Sequence, residues 1–469
     1  MVFSSPTFLF GFLPAVLLAH TVLRGAPRNW LLLLASLSFY AWGEGRYIAL
    51  MLASIVVNHA LGLWIQRSRS ALALGLAVAL NLGALGFYKY SGWLWDNALA
   101  LCEALGGATA WLGPRPEVVL PLGISFFTFQ ALSTLVDVRR GDARLSANPL
   151  EFGLYIACFP QLIAGPIVRY SDIAQQLVRR SVGVADFADG LRRFAIGLGK
   201  KTLLANSLAP LVDEAFALDP AQLTCAAGWL AISAWCLQIY FDFSGYSDMA
   251  IGLGRCLGFS YAENFEHPLA SRSITEFWRR WHISLSTFFR DYVYIPLGGN
   301  RRGKARMYAA LVCVFALTGL WHGAAWTFVV FGLYHGAVML LERAGVGRAL
   351  SAGPRWLAHV YFFVAVNVGW VFFRADDLPH AGAFLQTLFR VLPSGAELHP
   401  ARVFLDTERC LALVLGVLCA LPWVRWARER GEPSPAVALA CDVGVVALIG
   451  ASLLCAAAGA YDPFIYFRF

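Results

Sequence analysis

The residues best suited to chemistry in this sequence are ionisable side chains set among apolar ones. His322 stands in Gly319-Leu-Trp-His-Gly-Ala-Ala-Trp326, between two apolar runs, with Trp321 and Gly323 beside it. Ionisable groups inside such runs are costly to bury and mark function by default. A neutral imidazole is the natural general base near pH 7. The competing account is a histidine satisfied by a backbone carbonyl or lying at an interface. His335 follows thirteen residues later, in Leu333-Tyr-His-Gly336. That separation does not make a helical pair, so a structural role satisfied by hydrogen bonds is expected for His335.

A second cluster is Glu276-Phe-Trp-Arg-Arg-Trp-His-Ile-Ser-Leu-Ser286. Glu276 can pair with Arg279 or Arg280 on a helix, and Trp278, Trp281 and His282 would then lie close together. One account is an interfacial helix anchored by Trp and Arg. The other is a basic, aromatic wall for an anionic cofactor such as coenzyme A, whose phosphates suit Arg and whose adenine can stack. The third cluster, Gln238-Ile-Tyr-Phe-Asp-Phe-Ser-Gly-Tyr-Ser-Asp248, puts Asp242, Ser244, Ser247 and Asp248 at the end of an apolar run. Gly245 would permit a turn there. Structural links from the two carboxylates to nearby basic residues are the favoured reading.

The elements that must position these groups are membrane helices. Of 469 residues, 58% are hydrophobic and only 14% charged, against about 25% charged in soluble domains. Runs such as Ala324–Leu341 and Ala436–Ala458 approach or reach the roughly 20 residues that cross a bilayer core. Patterning predicts an all-α polytopic protein of about ten to twelve transmembrane or re-entrant helices. Phe152–Val168, interrupted by Pro160 and Gly165-Pro166, is a broken span of the kind that lines functional interiors. Ser171–Ala217 and Ser271–Arg306 mix basic and apolar residues and read as amphipathic surface helices. The net charge of +8 falls largely in loops flanking spans, which points to the cytoplasmic leaflet rather than nucleic acid. Arg24, Arg28, Arg67, Arg69, Arg139, Arg140 and Arg144 share one side by this rule, leaving the N-terminus periplasmic. Thr7–Val22 reads as a retained first span, because no positive region precedes it. Ten cysteines are scattered singly, without the spacing of a disulfide or metal framework. No nucleophile elbow, Walker loop or dinucleotide fingerprint is present.

Several short motifs follow one another along the chain, beginning with Met1-Val-Phe-Ser-Ser, Phe39-Tyr-Ala-Trp-Gly43, Pro121-Leu-Gly-Ile-Ser-Phe-Phe-Thr-Phe129 and Phe159-Pro-Gln-Leu-Ile-Ala-Gly-Pro166. Then come Gln238–Asp248, Glu263-Asn-Phe265 (which includes Asn264), Ser273–Ser286, Arg290-Asp-Tyr292, Leu297-Gly-Gly-Asn300 and Gly319-Leu-Trp-His-Gly323. Gly369-Trp-Val-Phe-Phe-Arg-Ala375 and Pro463-Phe-Ile-Tyr-Phe467 complete the series. Together and in this order they resemble the motifs of the membrane-bound O-acyltransferases, in the branch of the alginate and peptidoglycan O-acetylation membrane proteins. The resemblance implies a single membrane domain around a tunnel, with N-terminal helices in 1–150, a catalytic core in 151–345 and C-terminal helices in 346–469. It implies that His322 is the catalytic histidine and that His282 fills a second motif position, which is Asn in many relatives and His in this branch. Trp321, Trp278, Asp242, Ser244, Asp248, Asn264 and His335 would line the tunnel or support it.

In those terms acetyl-CoA is the donor substrate, with no permanently bound cofactor and no metal. Arg279, Arg280, Lys200 and Lys201 are the candidates to hold its phosphates. The acetyl group would pass across the inner membrane to an extracytoplasmic polysaccharide through a periplasmic partner resembling an SGNH hydrolase. Gly43-Glu44 looks closer to generic or peptidoglycan-type members than to the alginate protein and leaves the polymer open. The rival functions are a transporter or channel for an acyl or lipid-linked substrate, an acyltransferase using another donor such as a D-alanyl carrier protein, and a secretion scaffold.

Overall fold

A computed structural model describes residues 2–390, 395, 398–423, 434–457 and 464–465. Most of the terminal motif 463–467, the last residue of the final apolar run and Met1 therefore lie outside the described residues. The protein is all-α and polytopic. In chain order its main helices are α1 (Thr7–Val22), α2 (Ala26–Glu44), α3 (Ile48–Ser68), α4 (Ala71–Leu85), α5 (Ser91–Ala104), α6 (Ile124–Arg140), α7 (Pro149–Ala157), α8 (Tyr170–Val178), α9 (Val184–Gly199) and α10 (Asn206–Phe216). There follow α11 (Cys225–Cys256), α12 (Ile274–Arg280), α13 (Ile283–Phe289), α14 (Lys304–His322), α15 (Trp326–Leu341), α16 (Arg355–Arg374), α17 (Leu378–Leu388), α18 (Thr407–Ala420) and α19 (Pro435–Ala457). Among the described residues, six helical segments are long and apolar enough to cross a membrane. The first of them, Ala26–Ser68, contains two helices broken at Gly45. Large apolar side chains such as Leu72, Val446 and Leu454 point outward from the bundle, as they do where lipid is the solvent.

Of the helix ends expected to share a side, those of α3 and α6 meet. Arg69 at the end of α3 donates to the carbonyls of Val138 (2.6 Å) and Arg139 (3.0 Å) at the end of α6. Arg180 donates to the Asn29 side chain (2.7 Å) at the start of α2. At the opposite end of α2, Glu44 accepts from the Leu122 N–H (3.0 Å) and Tyr47 donates to the Val119 carbonyl (3.0 Å).

α11, 32 residues long, runs through the core. The turn expected at Gly245 does not form, and the helix continues unbroken to Cys256. Gly245 serves close packing instead: a Cβ there would lie 2.7 Å from the Gly197 carbonyl oxygen on α9. Gly252 and Gly190 meet in the same way. Small residues let membrane helices approach along their backbones, where van der Waals contact replaces the hydrophobic effect as the driving force. The broken span also behaves as expected. α7 stops at Ala157, a short helical turn covers Phe159–Leu162, and the whole stretch to Val168 is buried. Its irregular backbone is satisfied from within: Tyr155 donates to the Val168 carbonyl (3.0 Å) and Gln161 to the Tyr155 carbonyl (2.5 Å), as it must where water is excluded.

Ser171–Ala217 departs from a pure surface amphipath. α9 packs its glycine face on α11, which leaves Arg192 outward but buries Lys201. α19 then lies along α9, with Asp442 paired to Arg192 at 2.9 Å.

Candidate active site

His322 is the last residue of α14 and is 3% exposed. The helix ends there because Gly323 is extended (φ −166°). Gly319, one turn earlier, has no side chain because its Cβ would collide with the Phe328 carbonyl of α15. Gly332 on α15 meets the Phe315 carbonyl in the same manner. These two glycines close α14 on α15 and set His322 in the crossing, among Phe331 (ring centroids 5.7 Å), Phe373 (5.1 Å) and Trp321 (5.0 Å).

His282 was expected on a helix with Trp278. The helix stops instead at Arg280, and His282 adopts a left-handed conformation (φ 45°) between α12 and α13. Left-handed backbone is uncommon outside glycine and persists where the surroundings fix it. Asn264 does the fixing. Its backbone carbonyl accepts from the Ile283 N–H (3.0 Å), and its side-chain oxygen accepts from the Ser284 N–H (3.2 Å) and hydroxyl (2.9 Å). Its amide donates to Ser247 on α11 (3.1 Å). The same oxygen lies 3.2 Å from His282 Nδ1. The Ser284 N–H requires an acceptor there and the Ser284 hydroxyl proton is already used. His282 Nδ1 therefore carries the hydrogen and donates it. Nε2 is left as an acceptor, buried and without a hydrogen-bond partner among the described residues. The His282 ring faces Phe243 (4.7 Å) and Trp321 (5.4 Å). Trp321 thus stands between the two imidazoles.

α12 is held at its N-terminal turn by two side chains. Ser273 caps it through the Glu276 N–H (3.0 Å), and Glu342 accepts from the Ile274 and Thr275 N–H groups (2.7 and 2.9 Å). A carboxylate at a helix N-terminus is favourable. The anchored helix presents Trp278 and Arg279 to a cavity of about 360 Å³. Three exposed arginines, Arg279, Arg290 and Arg343, lie around it, and Trp278, Phe315 and Thr318 also line it. Thr318 is one turn before His322 on α14, and His322 itself is not in the lining. Beside the cavity, burial pushes the Asp291 carboxyl up, but hydrogen bonds from Arg290 (2.6 Å) and Arg169 (2.6 Å) outweigh it and hold the group below the usual carboxylate range.

The remaining expected residues divide clearly. His335 packs against Trp278 (5.4 Å) and Phe331 (4.7 Å). Neither of its ring nitrogens has a hydrogen-bond partner among the described residues, contrary to the expected satisfied histidine. A Cβ on Gly369 would sit 2.5 Å from its Nε2, which accounts for the glycine. Arg280 turns back to Glu276 (2.7 Å). Lys200 pairs with Asp248 (2.6 Å) and Lys201 with Asp242 (2.5 Å). Neither lysine lines the cavity. Arg193 also engages Asp248 (2.8 Å) and Glu263, while Asp242 accepts from the Ile465 N–H (2.9 Å). Ser244 is buried beside them.

Sequence reasoning passed over Arg343, Thr318 and Lys89. Lys89 follows α4 in a π-helical turn, Gly86–Tyr90, and its Nζ lies 2.5 Å from the Trp321 carbonyl oxygen. A lone lysine after the apolar run from Ala71 was the available signal.

A family model described as MBOAT, the membrane-bound O-acyltransferase family, matches residues 61–371. The chain is 40% identical to the protein named probable alginate O-acetylase in Azotobacter vinelandii, over 100% of both chains. It is 36% identical to peptidoglycan O-acetyltransferase of Helicobacter pylori, over 81% of this chain and 78% of that one. Similarity extends at 28% identity to teichoic acid D-alanyltransferase of Bacillus subtilis, over 57% of this chain and 72% of the other.

Proposed function

We propose, for a chain that belongs to the membrane-bound O-acyltransferase family, that the acyl group it moves is acetyl, taken from acetyl-CoA and delivered to a hydroxyl of an extracytoplasmic polysaccharide. The chain is a membrane acyltransferase, and the proposal concerns its donor, its acceptor and its route. The observation that carries it is the pairing of His282 and His322 across Trp321, beside a cavity ringed by Arg279, Arg290 and Arg343. Guanidinium groups suit the phosphates of the donor. The relatives named for alginate and peptidoglycan support a glycan acceptor.

In this mechanism His322 removes the proton of the acceptor hydroxyl as its oxygen attacks the thioester carbonyl. The tetrahedral intermediate expels the thiolate, which takes the proton back from the imidazolium. An oxygen ester forms, the C–S bond breaks, and free coenzyme A leaves. His282 offers Nε2 as an acceptor that orients the hydroxyl, because Asn264 holds the hydrogen on Nδ1. Thr318, which lines the cavity one turn before His322, marks the side from which the thioester would approach the imidazole. The basic chain ends that meet at one side would face the cytoplasm of a bacterial inner membrane, with the N-terminus periplasmic. A periplasmic partner related to SGNH hydrolases would complete the transfer.

The test is turnover of labelled acetyl-CoA by the purified chain in lipid nanodiscs, with acetylatable oligosaccharide and with partner added. General-base assistance is worth roughly 10²–10⁴ in rate, and His322→Ala is expected to lose that much. Wild-type turnover by His322→Ala removes the assigned base. Turnover with a D-alanyl carrier protein and none with acetyl-CoA removes the donor.

A further inference from the structure

We propose that Lys89 is a positioning residue for His322, its ammonium clamping the end of the helix on which the imidazole stands. The proposal rests on reading His322 as the general base.

The last carbonyls of any helix lack intrahelical donors and carry its negative end. In soluble proteins water serves them, but in a bilayer interior they must find partners within the protein. α14 ends at His322 inside the bundle. Its last three carbonyls are met by two consecutive side chains from a distant part of the chain. Tyr90 donates to the Leu320 oxygen (2.7 Å), and Lys89 donates to the Trp321 oxygen (2.5 Å) and reaches the His322 oxygen (3.4 Å). The π-helical turn Gly86–Tyr90 carries both residues. Such turns insert a residue and re-aim the side chains that follow, often at functional sites.

The same ammonium lies 5.9 Å from the centroid of the Trp321 ring, within cation–π range. Trp321 is the ring between His282 and His322. One cation thus fixes both the backbone of the base and the indole that separates it from its partner histidine. A lysine at membrane depth is expensive. Space filling alone would be met by methionine, and capping alone by the tyrosine next door. A charge is useful here because it serves two adjacent carbonyls and an indole at once.

The experiment compares Lys89→Met, Lys89→Gln, Lys89→Arg and His322→Ala as full-length chains in nanodiscs. It reads kcat and KM for acetyl-CoA, thermal stability, and the ring resonances of ¹⁵N-labelled histidines. Misplacing a catalytic group by about 1 Å costs on the order of 10²-fold, so Lys89→Met is expected to lower kcat by about 10- to 100-fold. KM should hold within about 3-fold, and Lys89→Arg should recover most of the rate because a guanidinium also donates to two carbonyls. The His322 resonances should move while those of His335 stay. Wild-type kcat in Lys89→Met or Lys89→Gln, a loss confined to KM, or an Arg variant no better than Met would each overturn the proposal. So would unmoved His322 resonances, a readout independent of any substrate. Failure of all three Lys89 variants to fold would assign the residue to assembly and overturn it as well. If His322→Ala keeps wild-type turnover while Lys89→Met moves the His322 ring, the base assignment falls and the clamp stands.

Discussion

α11 touches two polar clusters that are built in opposite ways, the first with Asp242 and Lys201 buried and Asp248, Lys200 and Arg193 half-buried. On one, Asp242 and Asp248 meet Lys201, Lys200 and Arg193, so that charge is matched by charge. On the other, Phe243 and Ser247 face His282 and Asn264, where the groups are neutral and hydrogen bonds replace ion pairs. A buried ion pair holds two elements together, its charge spent on the partner side chain. A buried imidazole whose far nitrogen is kept open has capacity for a substrate, at the cost of leaving a polar atom without a protein partner. Polarity at membrane depth therefore has two meanings in this protein, and the distinction lies in what each group is already bonded to.

The comparison can be broken first at His322. His322→Ala should abolish measurable acetyl transfer, a loss of roughly 10²–10⁴, while the melting temperature in detergent stays close to wild type. The opposite pattern is expected from Asp242→Asn, which strands the Lys201 ammonium. Breaking a buried pair costs about 3–5 kcal/mol, visible as a large drop in melting temperature, and Lys201→Met added to it should restore part of the stability. If Asp242→Asn were stable and inactive, the ion-paired cluster would belong to the chemistry and the contrast would fail. A smaller effect is expected at Asn264. Asn264→Leu removes the acceptor that fixes the His282 tautomer, and leaving buried donors unmatched costs about 1–3 kcal/mol. Activity should fall by about 10- to 100-fold, the scale of a misplaced catalytic group, and a shifted pH–rate profile would separate lost orientation from lost fold. The smallest effect concerns pH. The Asp291 carboxyl is held low in the folded protein, so its stabilising contribution is complete above the unfolded value of about 4 and is lost as pH falls through the lowered folded value. Melting curves between neutral pH and pH 3 should show Asp291→Asn and wild type converging at the acid end. Parallel curves would mean that Asp291 adds nothing.

Legibility in the sequence differed between these regions. His322 was readable because its neighbours are apolar, and the paired carboxylates because two charges near a membrane interior need partners. The identity of those partners was not readable. Lys200 and Lys201 looked as free as Arg279, yet the close glycine packing of α9 on α11 brings them to Asp248 and Asp242. Gly245 looked like a turn, because a glycine that permits a bend and one that permits contact have the same local signature. His282 looked helical, because its φ of 45° depends on Asn264, eighteen residues away.

Apolar runs, basic flanks and ordered motifs determined by themselves that the chain is a polytopic helical acyltransferase of its family, because helix formation and bilayer residence depend on composition over about 20 residues. Tertiary structure alone decided which cations are consumed in ion pairs, which nitrogen of His282 stays open, and that Lys89 reaches the end of α14 across 232 residues of sequence. Those outcomes depend on the approach of distant backbones, and the strength of a hydrogen bond or ion pair is set by a separation in space that no local pattern encodes.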